Sequence, residues 1–192
     1  FLDPLSTSLK NFPKFPSTDD VLGTSMQSVG EVMSMASTFT ESLTKAIRSL
    51  EIGKTGIRNI DNRFINLDRL ELEKEIAVPR PRRIFAVLEA LRRNWSVSKI
   101  SNLSYIDEWF LYEIEKSFNV NQETTPTTIL KMLGWTEDDI DNKDIKDELS
   151  KNRVYKLVDT CSAEFLSITP YLYSTTGTED DDISSNKEKV VV

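Results

Sequence analysis

Apolar residues recur at three- and four-residue intervals through much of this 192-residue chain, and prolines, glycines and capping residues interrupt the pattern. This spacing places apolar side chains on one face of a helix. The clearest case is the stretch 81–93, with an apolar face formed by Ile84, Val87, Leu88 and Leu91. Helices this short are stable only when such a face packs against other elements. The pattern therefore predicts an all-α fold built from helical hairpins, with a short extended or β N-terminal arm around Gly30 and a strand-like C-terminal tail.

Capping residues indicate where the helices begin and end. The segment Thr38–Glu41 has the spacing of a capping box, so a helix should start near Phe39, and Gly53 is well placed to end it. A second, more charged helix should follow and end before Pro79.

Two further helices are predicted after the stretch 81–93. Ser96 can cap a short one, and Asp107 can cap the next. Trp109 and Phe110 are adjacent in the helix that follows Asp107. Because large aromatic side chains bury much surface, we expect the core to be well filled there.

The last two predicted helices lie before residue 150. One begins at Thr125-Pro126 and ends at Gly134, and an acidic one begins at Thr136. After Tyr155 the apolar residues follow no single helical period, which predicts a docking arm without regular helix. Residues 187–192 end in β-branched side chains that favour a strand.

Composition excludes several kinds of catalytic and metal site. The chain has no histidine, which removes Ser-His-Asp triads, Cys-His pairs and zinc sites built on imidazole. Its single cysteine, Cys161, allows neither an internal disulfide nor a Cys-x-x-Cys site, and is better explained as a small buried residue than as a reactive thiol. No apolar run approaches the roughly 20 residues that span a bilayer. We therefore exclude these kinds of catalytic and metal site and predict no membrane partner.

The net charge of −7 argues against a nucleic-acid partner, because binding to phosphates requires clustered basic residues. The loop Gly53–Gly56 has the G-x-x-G form of one class of RNA-binding domain, but a helix end followed by a turn explains it better. The acidic runs at 138–141 and 179–182 are interpreted as a helix start and as solvated surface, rather than as acid–base or cation sites.

One dense basic cluster is a candidate surface for an anionic ligand or an acidic partner. It consists of Arg82, Arg83, Arg92 and Arg93, with Arg80 nearby. A solvated helix face with local ion pairs is the alternative, and the sequence leaves both open.

Three ordered motifs carry a family resemblance: Ser-Val-Gly-Glu-Val-Met at 28–33, Ile-Asp-Glu-Trp-Phe-Leu at 106–111, and Val-Asp-Thr-Cys-Ser-Ala-Glu-Phe at 158–165. With Arg-Ile-Phe-Ala at 83–86 and Glu-Ala-Leu-Arg-Arg at 89–93, they resemble the middle of the large chain of carbamoyl-phosphate synthetase. The similarity runs from about Lys10 to Val192. Asn94 stands where that family often has glycine, and the stretch between Phe118 and Thr136 is shorter than in many relatives.

The resemblance implies a domain organisation. In that family a helical oligomerization domain joins two ATP-grasp halves, one making carboxyphosphate and the other phosphorylating carbamate. By likeness, residues 1–48 are the tail of the carboxyphosphate half, 49–175 are the oligomerization domain, and 176–192 are a linker and the first strand of the carbamoyl-phosphate half. ATP with Mg or Mn would bind only in the parent protein's two halves, outside this chain, so the resemblance implies no catalytic, cofactor-binding or metal-binding residues here.

The resemblance also implies site residues. In the family, the Ser-Val-Gly-Glu-Val-Met turn lies close to the interior passage that carries carbamate between the active sites. Ser28, Gly30 and Glu31 are therefore candidates for lining that passage. A structural glutamate at a turn would look identical in the sequence.

The implied function is that of a non-catalytic connector and oligomerization segment. The parent would make carbamoyl phosphate from bicarbonate, glutamine-derived ammonia and two ATP, for arginine and pyrimidine biosynthesis, in the cytoplasm or in an organelle if eukaryotic. Implied partners are the two ATP-grasp halves, further copies of the chain and a glutaminase chain or domain. An independent helical protein-interaction module is the alternative.

Overall fold

The structure of the chain is a computed structural model that describes residues 7–8, 21–24, 31–151, 153–159, 171–177, 179 and 181. Most of the regular structure in these residues is helical, which confirms the predicted fold class. The helices are α1 Phe39–Ser49, α2 Asn62–Ile65, α3 Arg69–Ala77, α4 Arg83–Arg92, α5 Val97–Ser104, α6 Glu108–Phe118, α7 Thr127–Met132 and α8 Lys143–Lys151. The strands are β1 Thr7–Ser8, β2 Glu31–Val32, β3 Arg153–Leu157 and β4 Leu172–Thr176. Among the described residues, no helix is long and apolar enough to cross a membrane.

The predicted caps stand at the helix starts. The side chains of Thr38, Ser96 and Asp107 each accept a hydrogen bond from a backbone N–H in the first turn of α1, α5 and α6. Gly134 follows α7 with φ of 81°, and Asn94 follows α4 with φ of 58°, both in the left-handed region expected for those positions. Local hydrogen bonding thus explains most of the helix bounds.

Helix α4 is the centre of the main core, and the prediction of a single apolar face is wrong for it. Every residue from Phe85 to Leu91 is buried, whereas Ile84 is only partly buried. Neighbouring helices α2, α3, α5 and α6 all contact α4, so no side of it between those residues faces water. The main core extends from α1 to α6 around this helix.

The prediction that Trp109 and Phe110 fill the core is also wrong. Trp109 is 50% exposed and Phe110 is 38% exposed, while Leu111 and Ile114 on the same helix are buried. The two exposed rings pack against each other and against Phe39 of α1, with centroids 5.0–5.7 Å apart. They form an aromatic patch, defined here as Phe39, Trp109 and Phe110.

The acidic segment after Gly134 is not one helix. Thr136 and Asp139 form a capping box around a 3-10 turn, Glu137–Asp139, and Ile140 is extended before α8 begins. A smaller core lies here, formed by Leu130, Trp135, Ile140 and Leu149. The guanidinium of Arg58 lies 3.7 Å from the centre of the Trp135 ring and donates a 2.5 Å hydrogen bond to the carbonyl of Ser117. Arg58 therefore connects the smaller core with the end of α6.

Strands β3 and β4 form an antiparallel pair that the sequence did not predict, with Tyr155 opposite Ser174. Only Val154 and Thr175 of the pair are buried, so the apolar alternation that usually reveals a strand is missing. At the other end of the chain, β1 pairs with β2 through Thr7 opposite Val32, which agrees with the short extended piece expected there. The strand predicted for 187–192 lies outside the described residues, as does Cys161.

Candidate functional site

Two segments that are far apart in the sequence meet on helix α1: residues 33–37, which lead into it, and strand β4. The hydroxyl oxygens of Ser37 and Thr175 lie 3.0 Å apart. Each also lies within hydrogen-bond distance of Glu41 Oε2, at 3.0 Å for Ser37 and 2.9 Å for Thr175. Glu41 therefore binds the incoming and the outgoing segment with one carboxylate oxygen.

Lys45 makes the same connection one helical turn further on. Its ammonium group donates hydrogen bonds to the carbonyl oxygens of Met35 and Ser174, the first at 3.0 Å. It also lies 3.3 Å from Glu41 Oε1 as an ion pair. Burial lowers the pKa of Lys45, the charge of Glu41 partly opposes this, and the nearby Lys131 and Arg153 lower it further. We call Glu41 and Lys45 the α1 clamp.

A cavity of about 540 Å³ opens beside the α1 clamp, between α1, the end of α7, α8 and the β3–β4 pair. Its lining is basic, with four cationic side chains: Lys45, Arg48, Lys131 and Arg153. Glu41 also lines it, and its buried Oε1 atom lies 3.3 Å from the Lys45 ammonium as an ion pair and accepts no hydrogen bond from the described residues. We call this space the basic cavity.

The cations of the basic cavity are only partly neutralised. Lys131 lies 3.1 Å from Glu137. Burial would raise the pKa of Glu137, but a backbone hydrogen bond and the Lys131 charge outweigh it and leave that pKa lowered. Arg48 and Arg153 form no salt bridge with another residue of the described part of the chain. A locally positive site thus occurs in a chain whose net charge is −7.

Sequence reasoning missed this cavity because its residues come from three helices, two strands and the segment before α1. Glu41, Lys45 and Arg48 are spaced so that they share one side of a helix, which is the only local signal. Lys131 and Arg153 join them only through the packing of α7 and of the unpredicted strand β3 against α1.

The passage residues proposed from the resemblance are mostly outside the described residues. Ser28 and Gly30 lie there, and the backbone of Glu31 is in β2, opposite Ser8. The role of Ser28, Gly30 and Glu31 in lining a passage stays a prediction.

The four arginines of the predicted anionic-partner surface are held by different parts of the protein. Arg82 lies 2.7 Å from Asp61, and Arg83 donates to the carbonyl of Ser104. Arg92 and Arg93 both bind the buried carboxylate of Glu89. These contacts correspond to the alternative of local ion pairs, and a partner surface on these residues stays a prediction.

The acidic run near the end of the described chain also has an internal partner. Asp181 lies 3.0 Å from Lys156 and accepts a hydrogen bond from the backbone N–H of Leu157. No cluster of three or more acidic, cysteine or histidine residues that could hold a metal occurs among the described residues.

The fold and the site define a class of protein: a helical domain whose incoming and outgoing segments are joined on one helix. The family described as the carbamoyl-phosphate synthetase large chain, oligomerisation domain, matches residues 31–143. The chain belongs to that family.

Relatives named as carbamoyl phosphate synthase large chains match most of this chain. The carbamoyl phosphate synthase large chain of Xanthomonas campestris pv. campestris is 36% identical over 94% of this chain and 19% of its own length. That of Archaeoglobus fulgidus is 35% identical over the same shares. The N-terminal section of the Aquifex aeolicus large chain is 37% identical over 85% of this chain and 32% of its own length. The chain thus spans a third or less of each of these relatives.

Proposed function

We propose that the chain is the connector and oligomerization segment of a carbamoyl-phosphate synthetase large chain and does no chemistry itself. The match over residues 31–143 to the family's oligomerisation domain supports this. The parent protein would make carbamoyl phosphate from bicarbonate, ammonia from glutamine, and two ATP. ATP with its Mg or Mn would bind in the two flanking ATP-grasp halves, and the product would serve arginine and pyrimidine synthesis in the cytoplasm or an organelle.

The α1 clamp is the observation that carries the connector role. A segment that joins two domains fixes their relation only where its two ends are rigidly attached, since domains otherwise move with respect to each other. Glu41 and Lys45 supply that attachment because they bind both the incoming segment 33–37 and strand β4.

The aromatic patch supports association with a second copy of the chain. Exposed Trp and Phe side chains are enriched at the centres of protein interfaces. The patch borders a further cavity of about 490 Å³ lined by Ser37, Thr38 and Glu113, so it combines apolar rings with a polar rim. A second copy would bury Trp109, which is half exposed in the single chain.

Sedimentation velocity over a range of concentrations tests this association. Trp109→Ser should shift the chain towards the monomer, whereas Leu70→Ser, which removes another exposed apolar side chain on α3, should leave the assembly unchanged. Melting curves establish that both variants are folded. An oligomer that survives Trp109→Ser would place the contact elsewhere.

Two activity measurements test the connector role. The chain alone should show no bicarbonate-dependent ATP hydrolysis, and measurable turnover would contradict the proposal. In the intact parent protein, Lys45→Met should reduce carbamoyl-phosphate synthesis more than bicarbonate-dependent ATP hydrolysis, because it loosens the relation between the halves and leaves each half intact. Equal synthesis by Lys45→Met and the native protein would instead favour an independent interaction module.

A further inference from the structure

We propose that the basic cavity binds a phosphate monoester of a small hydroxylated molecule. The inference does not depend on the proposed connector function, because it follows from the lining of the cavity alone.

The anionic group of the ligand is inferred from the cations. Arg48 and Arg153 stand exposed at the cavity and have no salt-bridge partner in the described chain, so their guanidinium groups are available to a ligand. A guanidinium group binds phosphate oxygens through two parallel hydrogen bonds. Lys131 adds a third cation, since its single ion pair with Glu137 occupies one of three N–H donors. The charges of Arg48 and Arg153, which no salt bridge in the described part of the chain offsets, match the two negative charges of a phosphate dianion, and Lys131 contributes a further donor.

The hydroxyl group of the ligand is inferred from Glu41. Glu41 lines the cavity, and its buried Oε1 atom accepts no hydrogen bond from the described residues, although the Lys45 ammonium lies 3.3 Å away. A buried carboxylate oxygen without a hydrogen-bond donor is costly, and a ligand hydroxyl would supply one. The same carboxylate would repel a bare anion, so the anionic end must point towards the arginines and the hydroxylated end towards α1.

The size of the cavity fits such a molecule better than an isolated ion. Sites for small molecules commonly enclose about 300–1,000 Å³. At about 540 Å³ the cavity has room for a sugar phosphate. Both Arg48 and Arg153 belong to elements that the α1 clamp holds together, so the site exists only when strand β4 and its partner β3 are packed on α1.

Isothermal titration of the chain at low ionic strength tests the site with ribose 5-phosphate, ribose and inorganic phosphate as probes. Ribose 5-phosphate should bind more tightly than phosphate, and ribose should give no heat. Arg48→Gln and Arg153→Gln should each weaken ribose 5-phosphate binding by about tenfold or more, because each removes a charge-assisted hydrogen bond. Arg69→Gln is the matched control, since Arg69 is exposed on α3 and does not line the cavity.

Three results would overturn the proposal. Absence of heat from ribose 5-phosphate at millimolar concentration would show that no site exists. Equal weakening by Arg69→Gln and Arg48→Gln would assign the binding to general surface charge. If inorganic phosphate bound as tightly as ribose 5-phosphate, the sugar hydroxyl groups would contribute nothing to the affinity. Glu41 would then have no role as their hydrogen-bond acceptor. Both cavity arginines are exposed, so melting curves of the variants should match that of the native chain.

Discussion

Arg93 Nε donates a 2.6 Å hydrogen bond to Glu89 Oε1, a carboxylate with no exposed surface at the centre of the main core. The same guanidinium group also reaches three backbone carbonyls at the end of α2 and just beyond it, those of Phe64, Ile65 and Leu67. One side chain thus neutralises a buried charge and caps a short helix. The pair explains how a charged residue is stable inside α4.

Arg93→Lys should destabilise the chain by about 2–3 kcal/mol, although the charge is kept, because an ammonium group cannot reach Glu89 and three carbonyls together. Arg92→Lys is the matched control and should cost less, since the hydrogen bonds of Arg92 go to Glu89 and not to backbone carbonyls of the described residues. Urea unfolding followed by tryptophan fluorescence measures both. Equal losses would show that the carbonyl contacts contribute little.

Acid should remove the contribution of Glu89 to stability. Burial raises the pKa of this carboxylate, but hydrogen bonds from Arg92 and Arg93 and their charges outweigh it, so the native pKa lies below the ordinary 4.5. The unfolded chain therefore takes up the proton first, and stability that is complete above pH 4.5 is lost as the pH falls through the native pKa. The difference in unfolding free energy between the native chain and Glu89→Gln should narrow below pH 4.5. A constant difference from pH 7 to pH 3 would contradict this.

Gly134→Ala should be among the most damaging single substitutions. A Cβ atom there would lie 2.7 Å from Thr44 Oγ1 and 2.8 Å from the carbonyl of Thr40, and the backbone has φ of 81°. We expect the free energy of unfolding to fall by at least about 3 kcal/mol, because the steric clash and the backbone strain add together.

Gly53→Ala separates those two causes. Gly53 has φ of 74°, and nothing lies within 4 Å of the Cβ atom that alanine would add. The free energy of unfolding should therefore fall by only about 1 kcal/mol, because the left-handed backbone is the only source of strain. Thermal unfolding of both variants gives the comparison. Similar losses at the two positions would mean that α1 and α7 can separate to admit the methyl group.

Tyr105→Gly should stabilise the chain. Tyr105 ends α5 with φ of 59°, and its side chain is 92% exposed, so it has little packing to lose. Glycine at that position should gain about 0.5–1 kcal/mol, or roughly 2 °C in melting temperature. Tyr105→Ala is the control and should give no gain, because alanine keeps the Cβ atom that is strained. A fall in melting temperature on Tyr105→Gly would contradict this account.

The helices could be predicted because their signals are local. Thr38, Ser96 and Asp107 cap helices through bonds to residues two or three positions ahead, so the sequence alone contains both partners. Which helix lies at the centre is a matter of packing between distant elements. The pattern of α4 therefore indicated its existence but not that it is buried on all sides.

Strands β3 and β4 and the cavity could not be predicted for the same reason. Strand β4 has the sequence Leu-Tyr-Ser-Thr-Thr, whose stability comes from pairing with β3 and from the α1 clamp rather than from its own apolar residues. The basic cavity depends on that strand. The prediction that Trp109 lies in the core is wrong for a different reason. A large aromatic side chain indicates burial equally well in the core of a domain and in an interface between proteins.

The α1 clamp brings residues 33–37 and β4 together although more than 130 positions separate Ser37 from Thr175. The part of the chain between these two residues therefore begins and ends at the same place on α1. A change in the length of helices α2 to α5 would therefore leave the two segments joined by the clamp, whereas α6 and α7 pack on α1 itself. A shorter stretch between Phe118 and Thr136, which the resemblance leads us to expect, would change the surroundings of α7 but not the bonds that Glu41 and Lys45 make to the two segments.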